Sequence, residues 1–171
     1  MEAELSAKYA DCEEKYTLFY SNSSPFSQHH PSEFRVGDVE YVNAEQYMMH
    51  QKAVLFHDED IAKNILQESN PSAMKSLGRQ VTGFDEKRWK ENRVRIVREG
   101  SYAKFSQNPD LKRELLSTAG TVLVEAAPRD TIWGIGLGSA NPKARTRATW
   151  RGTNLLGYIL TDVRDQLVAE A

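Results

Sequence analysis

The chain has 171 residues, 40% hydrophobic and 27% charged, which suits one globular domain with a sizeable core and excludes a disordered or fibrous protein. Its formal net charge of -2 excludes a strongly basic coat, so any nucleic-acid contact must be local. The single cysteine, Cys12, can form neither an internal disulfide nor a metal cluster; no run of eighteen apolar residues occurs; and the acidic opening MEAELSAKYADCEEK leads us to expect a cytoplasmic or nuclear protein without a secretory leader.

Residues 1 to 14 read as a flexible, solvated tail ahead of a domain from 15 to 171. KYTLFY (15 to 20) predicts a first strand, ended by the turn-rich SNSSPFSQHHPS. EFRVGDVEYV predicts a hairpin turning at Gly37 and Asp38. Asn43, with Gln46 three residues on, reads as a capping box that starts a helix at once. Short helices follow at about 58 to 68 and 71 to 79, the second with Pro71 in its first turn. A long helix runs through DEKRWKENRVRIVREGSYAKFSQN, where Gly100 suggests a bend, and NPDLKRELLSTAG is a further helix with a proline start and a glycine stop. The β-branched TVLVEAA predicts a strand, a long glycine-rich and basic loop comes next, and a helix from about Asn154 closes the chain. The pattern is α+β: a helix-rich compact single domain with a small, mostly antiparallel sheet.

The helix after Asn43 places charge where its core should be. On a helical wheel, Met48, Met49, Lys52, Leu55 and Phe56 fall within roughly 80° of Glu45, while Gln46, His50 and Gln51 take most of the other side. Lys52 admits two readings. In one, its stem covers apolar surface and its ammonium reaches water or pairs with Glu45. In the other, desolvation disfavours the charged form and leaves a nucleophilic amine suited to an aldehyde or glycosylamine carbon. Glu45 has a matching choice between partner of the helix dipole and general acid/base. The four histidines offer no convincing metal set, since His29 and His30 are adjacent in a loop and His50 and His57 lie away from the Glu45 face, so no bound metal is expected.

In IWGIGLGS, Gly134, Gly136 and Gly138 alternate without the spacing or context of a dinucleotide fingerprint. Their backbone could still cradle a phosphate, and Trp133 beside them either stacks a base or joins the core. KARTRATWRG gathers Lys143, Arg145, Arg147 and Arg151, either as a solvated loop or, with the N-terminus of the last helix, as a grip on pyrophosphate or nucleic-acid backbone. Asp130, just past the strand, sits where an active-site loop leaves a sheet, or is simply a surface acid.

Six ordered blocks, SPFSQHHPSEFRV, VNAEQYMMHQKA, LGRQVTGFDEKRW, EGSYAKFSQNPDLKRELLSTAG, LVEAAPRDTIWGIGLG and WRGTNLLGYILTDVR, resemble the NADAR (NAD- and ADP-ribose-associated), YbiA-like family over about residues 17 to 167. The resemblance implies a compact, mostly helical α+β fold and an N-glycosidase that uses no cofactor and no metal. Two substrate settings come with it: ADP-ribose on guanine, in DNA or as a nucleotide, and phosphoribosylamino-pyrimidine intermediates of riboflavin synthesis. In both, a ribose C1 is joined to an exocyclic amine. A non-catalytic ADP-ribose reader is the alternative that would tolerate loss of Lys52.

On that resemblance Lys52 is expected to form a Schiff base and Glu45 to shuttle protons. The competing route activates water with Glu45 or Asp130 and leaves Lys52 to hold hydroxyls or phosphate. Trp133 and Trp89 are expected to shape the pocket. Gly134, Gly136, Arg35, Arg79, Asn154 and Arg151 are expected to contact ribose and phosphate. The partner is then ADP-ribose or ADP-ribosylated guanine, with no membrane, and the protein is expected to be a monomer.

Overall fold

The computed structural model describes residues 1–10 and 15–171, so Cys12 and the expectation attached to it lie outside the described residues. The chain forms two compact units: Gln28–Pro109, and a second made of Met1–Ser27 together with Asp110–Ala171.

In the unit spanning Gln28–Pro109, strands β2 (Phe34–Val36) and β3 (Val39–Tyr41) form the expected antiparallel hairpin, with Gly37 at φ 60° in the turn. Four helices follow: α2 (Ala44–Leu55), α3 (Glu59–Gln67), α4 (Pro71–Gly78) and α5 (Glu86–Gln107). Helix α2 is packed against by α3, α4, α5 and β3, so it is buried on nearly every face. Its start is capped by Asn43 Oδ1, which accepts from Gln46 N–H at 2.8 Å. The Gln46 amide reaches back to accept from Val42 N–H at 2.9 Å and donates to the Ile65 carbonyl at 3.0 Å. The polar side of α2 is therefore satisfied inside the protein: Gln46 as described, and His50 through its Nδ1 at 2.8 Å from the Tyr41 hydroxyl.

Two glycines permit the close packing of α2. A Cβ at Gly78 would collide with Met49 Sδ, and one at Gly100 with Tyr47 Cδ1. Helix α5 runs unbroken through Gly100, which admits an aromatic ring from α2.

In the other unit, α1 (Glu2–Lys8) precedes β1 (Lys15–Phe19), and α6 (Pro109–Leu116), which begins at the end of the first unit, leads to β4 (Thr121–Glu125). Two 3-10 turns (Pro142–Arg145 and Arg147–Thr149) and α7 (Leu155–Ala169) complete it. The sheet expectation needs correction. There are two separate two-stranded sheets among the described residues, and β1 pairs with β4 in parallel, from Lys15↔Thr121 to Phe19↔Glu125. A hairpin announces itself through its turn, whereas a parallel partner a hundred or so residues away leaves no local signal.

The loose segment expected at 1 to 14 does not describe residues 2 to 10. Leu5 and Tyr9 are buried, Tyr9 stacks on Tyr158 at 4.9 Å between ring centroids, and Lys8 Nζ meets Asp162 Oδ1 at 2.6 Å. Two aromatic and aliphatic anchors in an otherwise charged stretch are enough to dock α1 on α7. The core of this unit is built from Val124, Ala126, Ile135, Leu137 and Ala144, flanked by Tyr16, Leu18 and Trp150.

Candidate functional site

Four of the expected site residues, Glu45, Lys52, Arg79 and Trp89, come together in the unit spanning Gln28–Pro109. Glu45 enters the first turn of α2 and is 4% exposed. Its backbone N–H donates to the Gln28 carbonyl at 3.0 Å, which ties the loop before β2 to this turn. Lys52 lies two turns further along α2 and is half-buried. Its Nζ lies 4.8 Å from the Phe84 ring centroid and 5.7 Å from that of Trp89.

Electrostatics at this amine point in one direction. Burial, reinforced by the positive charge of Arg79, holds the Lys52 ammonium below the usual lysine range, while the Glu45 carboxylate opposes that shift. A lysine in this setting reaches its neutral, nucleophilic form at lower pH than one in water. Arg79 caps the end of α4 and is exposed, so its guanidinium also faces solvent where an anionic group could meet it.

Three further residues join the cluster that sequence reading did not select. His29 Nε2 lies 3.8 Å from Glu45 Oε2, and its imidazole is pushed down in pKa by burial and by the charge of Lys75 on α4. Phe84, 46% exposed, offers an aromatic face beneath Lys52. His29 sits in a turn-rich loop with no periodicity, and Lys75 resembles any exposed helical lysine; the order in space that groups them has no counterpart in spacing. Arg35, by contrast, is held on the hairpin: its guanidinium pairs with Glu40 at 2.8 Å and its backbone N–H donates to Gln107 Oε1.

The remaining expected residues belong to the other unit, where most of their polar groups serve the backbone. Asp130 Oδ1 accepts from the N–H groups of Ile132 and Trp133 at 2.9 and 2.8 Å, which closes an Asx turn. Trp133 is half-buried behind it. The Gly136 N–H donates to the Asp130 carbonyl, so it is not offered to a phosphate, and the glycine is explained by its φ of 70° and by the 3.0 Å that an added Cβ would leave to Arg151 Cβ. At Gly134 an added Cβ would lie 2.9 Å from the Glu125 carbonyl oxygen. These glycines let the loop fold back against the end of β4.

The expected anion grip at the start of α7 is corrected in the same way. The N–H groups of Asn154, Leu155 and Leu156 donate to the carbonyls of Gly134, Ile132 and Trp133, so this helix N-terminus is closed by its own loop. Asn154 is fully buried, at φ 52°; its Oδ1 accepts from Glu125 N–H and its Nδ2 donates to the Leu123 carbonyl, at 3.0 and 3.1 Å. It is a tie between β4 and α7 rather than a ribose contact. In the basic stretch Arg147 turns inward, its guanidinium 5.7 Å from the Trp150 ring and 5.5 Å from the Tyr158 ring. Lys143, Arg145 and Arg151 stay exposed. Among the described residues no group of three or more His, Cys, Asp or Glu side chains could hold a metal ion, and no helix is long and apolar enough to cross a membrane.

Comparison with known proteins places this architecture. The NADAR domain model matches residues 13–168. Protein irg-1 of Caenorhabditis elegans is 39% identical over 89% of this chain and 79% of its own length. An N-glycosidase of Acanthamoeba polyphaga mimivirus is 41% identical over 90% of this chain and 96% of its own. The NMR structure of the Escherichia coli protein YbiA superposes with a TM-score of 0.75 at 30% identity, covering 93% of this chain and 88% of that one.

Proposed function

The chain belongs to the NADAR family, several of whose named relatives are N-glycosidases, and from that premise we propose that it hydrolyses the bond between a ribose C1 and an exocyclic amine, with ADP-ribose on guanine as substrate. The observation that carries this reading is Lys52: a half-buried amine over two aromatic rings, lowered in pKa by burial and Arg79, on the same helix as the buried acid Glu45.

The chemistry follows from those two groups. The nitrogen lone pair of the glycosylamine expels the ring oxygen from C1, giving an iminium, and Glu45 supplies the proton that the departing oxygen takes. The neutral Lys52 amine adds to C1. A proton passes from its nitrogen to the guanine amine, which leaves, and an imine between Lys52 and the sugar remains. Water adds to that imine, the C1–N bond to Lys52 breaks, and the sugar aldehyde recloses; the net reaction consumes one water. Arg79 is suited to a phosphate of the substrate, and the faces of Phe84 and Trp89 to its planar or ribosyl parts.

The test is incubation with an oligonucleotide carrying ADP-ribose on guanine, followed by mass spectrometry with and without borohydride. Release, with a reduced adduct mapping to Lys52, is the expected result. Release without an adduct, under conditions where a reference imine is trapped, would favour direct attack of water. Turnover confined to phosphoribosylamino-pyrimidines would move the substrate to that class, and ADP-ribose binding without turnover of either would leave a reader.

A further inference from the structure

We propose that His29 is a positioning residue for the reaction: it relays protons between solvent and the Glu45 carboxyl. The inference rests on the glycosidase reading given above. A general acid that is 4% exposed must recover its proton after each turnover, and burial denies it direct exchange with bulk water. His29 spans that gap. Its side chain is 32% exposed, its Nε2 lies 3.8 Å from Glu45 Oε2, and the hydrogen bond from Glu45 N–H to the neighbouring Gln28 carbonyl fixes the loop that carries it. The separation exceeds a hydrogen bond by roughly 1 Å, so transfer requires the imidazole and the carboxylate to close that gap.

The relay balances without a net change in the imidazole. Glu45 gives its proton to the ring oxygen, and the later addition of water to the protonated imine releases one proton to solvent; His29 hands its Nε2 proton to the carboxylate and takes that proton back from solvent at Nδ1, and exchange of tautomers resets it. A permanently protonated His29 would instead form a fixed ion pair with Glu45 and hold it as carboxylate. Glu45 from α2 and Lys75 from α4 are among the groups that bear on His29; burial and the Lys75 charge both favour the neutral ring. Lys75 itself is exposed and stands one helical turn from Arg79, which acts on Lys52 in the same sense.

The test compares His29→Ala, His29→Gln and Lys75→Met with the full chain on ADP-ribosylated guanine, reading kcat against pH. His29→Ala is expected to lose roughly ten- to a hundredfold in kcat with KM little changed, and added imidazole to restore part of it. Lys75→Met, a surface change that folds, is expected to move the acidic limb of the profile to higher pH, because His29 then protonates more readily. Full kcat in both His29 variants, or an acidic limb that does not move in Lys75→Met, overturns the relay. With Lys52→Ala inactive in the same assay, that failure leaves the glycosidase standing; a full chain that releases no base from either substrate class overturns both.

Discussion

Helix α2 and the loop from 130 to 138 carry candidate residues of similar kinds, and the fold treats them differently. In the loop, Asp130, Gly136 and the neighbouring Asn154 direct their hydrogen-bonding groups to nearby backbone, where each closes a turn or ties a strand to a helix. On α2, the buried Glu45 and the half-buried Lys52 lie among aromatic, cationic and imidazole groups, and burial together with Arg79 lowers the pKa of Lys52. The difference separates residues that the architecture needs from residues that the architecture tolerates. A core-facing lysine and glutamate cost desolvation energy that leucine would not, so their presence points to chemistry.

The comparison can be broken by substitution. The largest expected effect is on rate: Lys52→Ala should lower release on the order of a thousandfold while leaving the midpoint of urea unfolding unchanged or slightly raised, since a desolvated amine is removed. Stability loss without rate loss would make Lys52 structural. Asn154→Ala should show the opposite profile. It strands a buried N–H and a buried carbonyl and places alanine in the left-handed region, which together should cost about 2–4 kcal/mol in urea denaturation, with activity per folded molecule retained.

Arg79→Met sharpens the electrostatic part. Removing its charge lets the Lys52 ammonium persist to higher pH, so a smaller fraction is neutral at pH 7 and the rise of kcat with pH should move to higher pH. A downward move would contradict the stated cause. The smallest effect is expected from Asp130→Asn, which preserves the Oδ1 acceptor of the turn and should keep activity within about twofold. A hundredfold loss there would transfer part of the acid/base chemistry to the loop.

Much of this is legible in the sequence because the signals are local. Asn43 and Gln46 mark the start of α2, Gly37 marks the hairpin, and the helical wheel alone puts Glu45 and Lys52 inside an apolar arc. What escapes is long-range. The other face of α2 reads as polar because Gln46 and His50 are polar, yet both are buried with partners supplied by Ile65 and Tyr41. The parallel partner of β1, the approach of His29 and Phe84, and the closure of the α7 N-terminus by carbonyls 132 to 134 all depend on contacts between distant segments. Gly136 and Asn154 show the same limit: composition shows that a donor exists, and only the fold shows what it already holds.

The pairing of β1 with β4 sets an order of events during synthesis. Thr17 and Thr121, whose hydroxyls meet at 2.7 Å, stand 104 positions apart, and the whole Gln28–Pro109 unit emerges between them. At about 5–20 residues per second the ribosome leaves the first strand without its mate for roughly 5–20 seconds, ample time for a helical unit to fold first. The KYTLF segment is then an apolar edge waiting for the chain to return, which makes the nascent protein most exposed to misassociation while the unit that carries Lys52 is already able to fold.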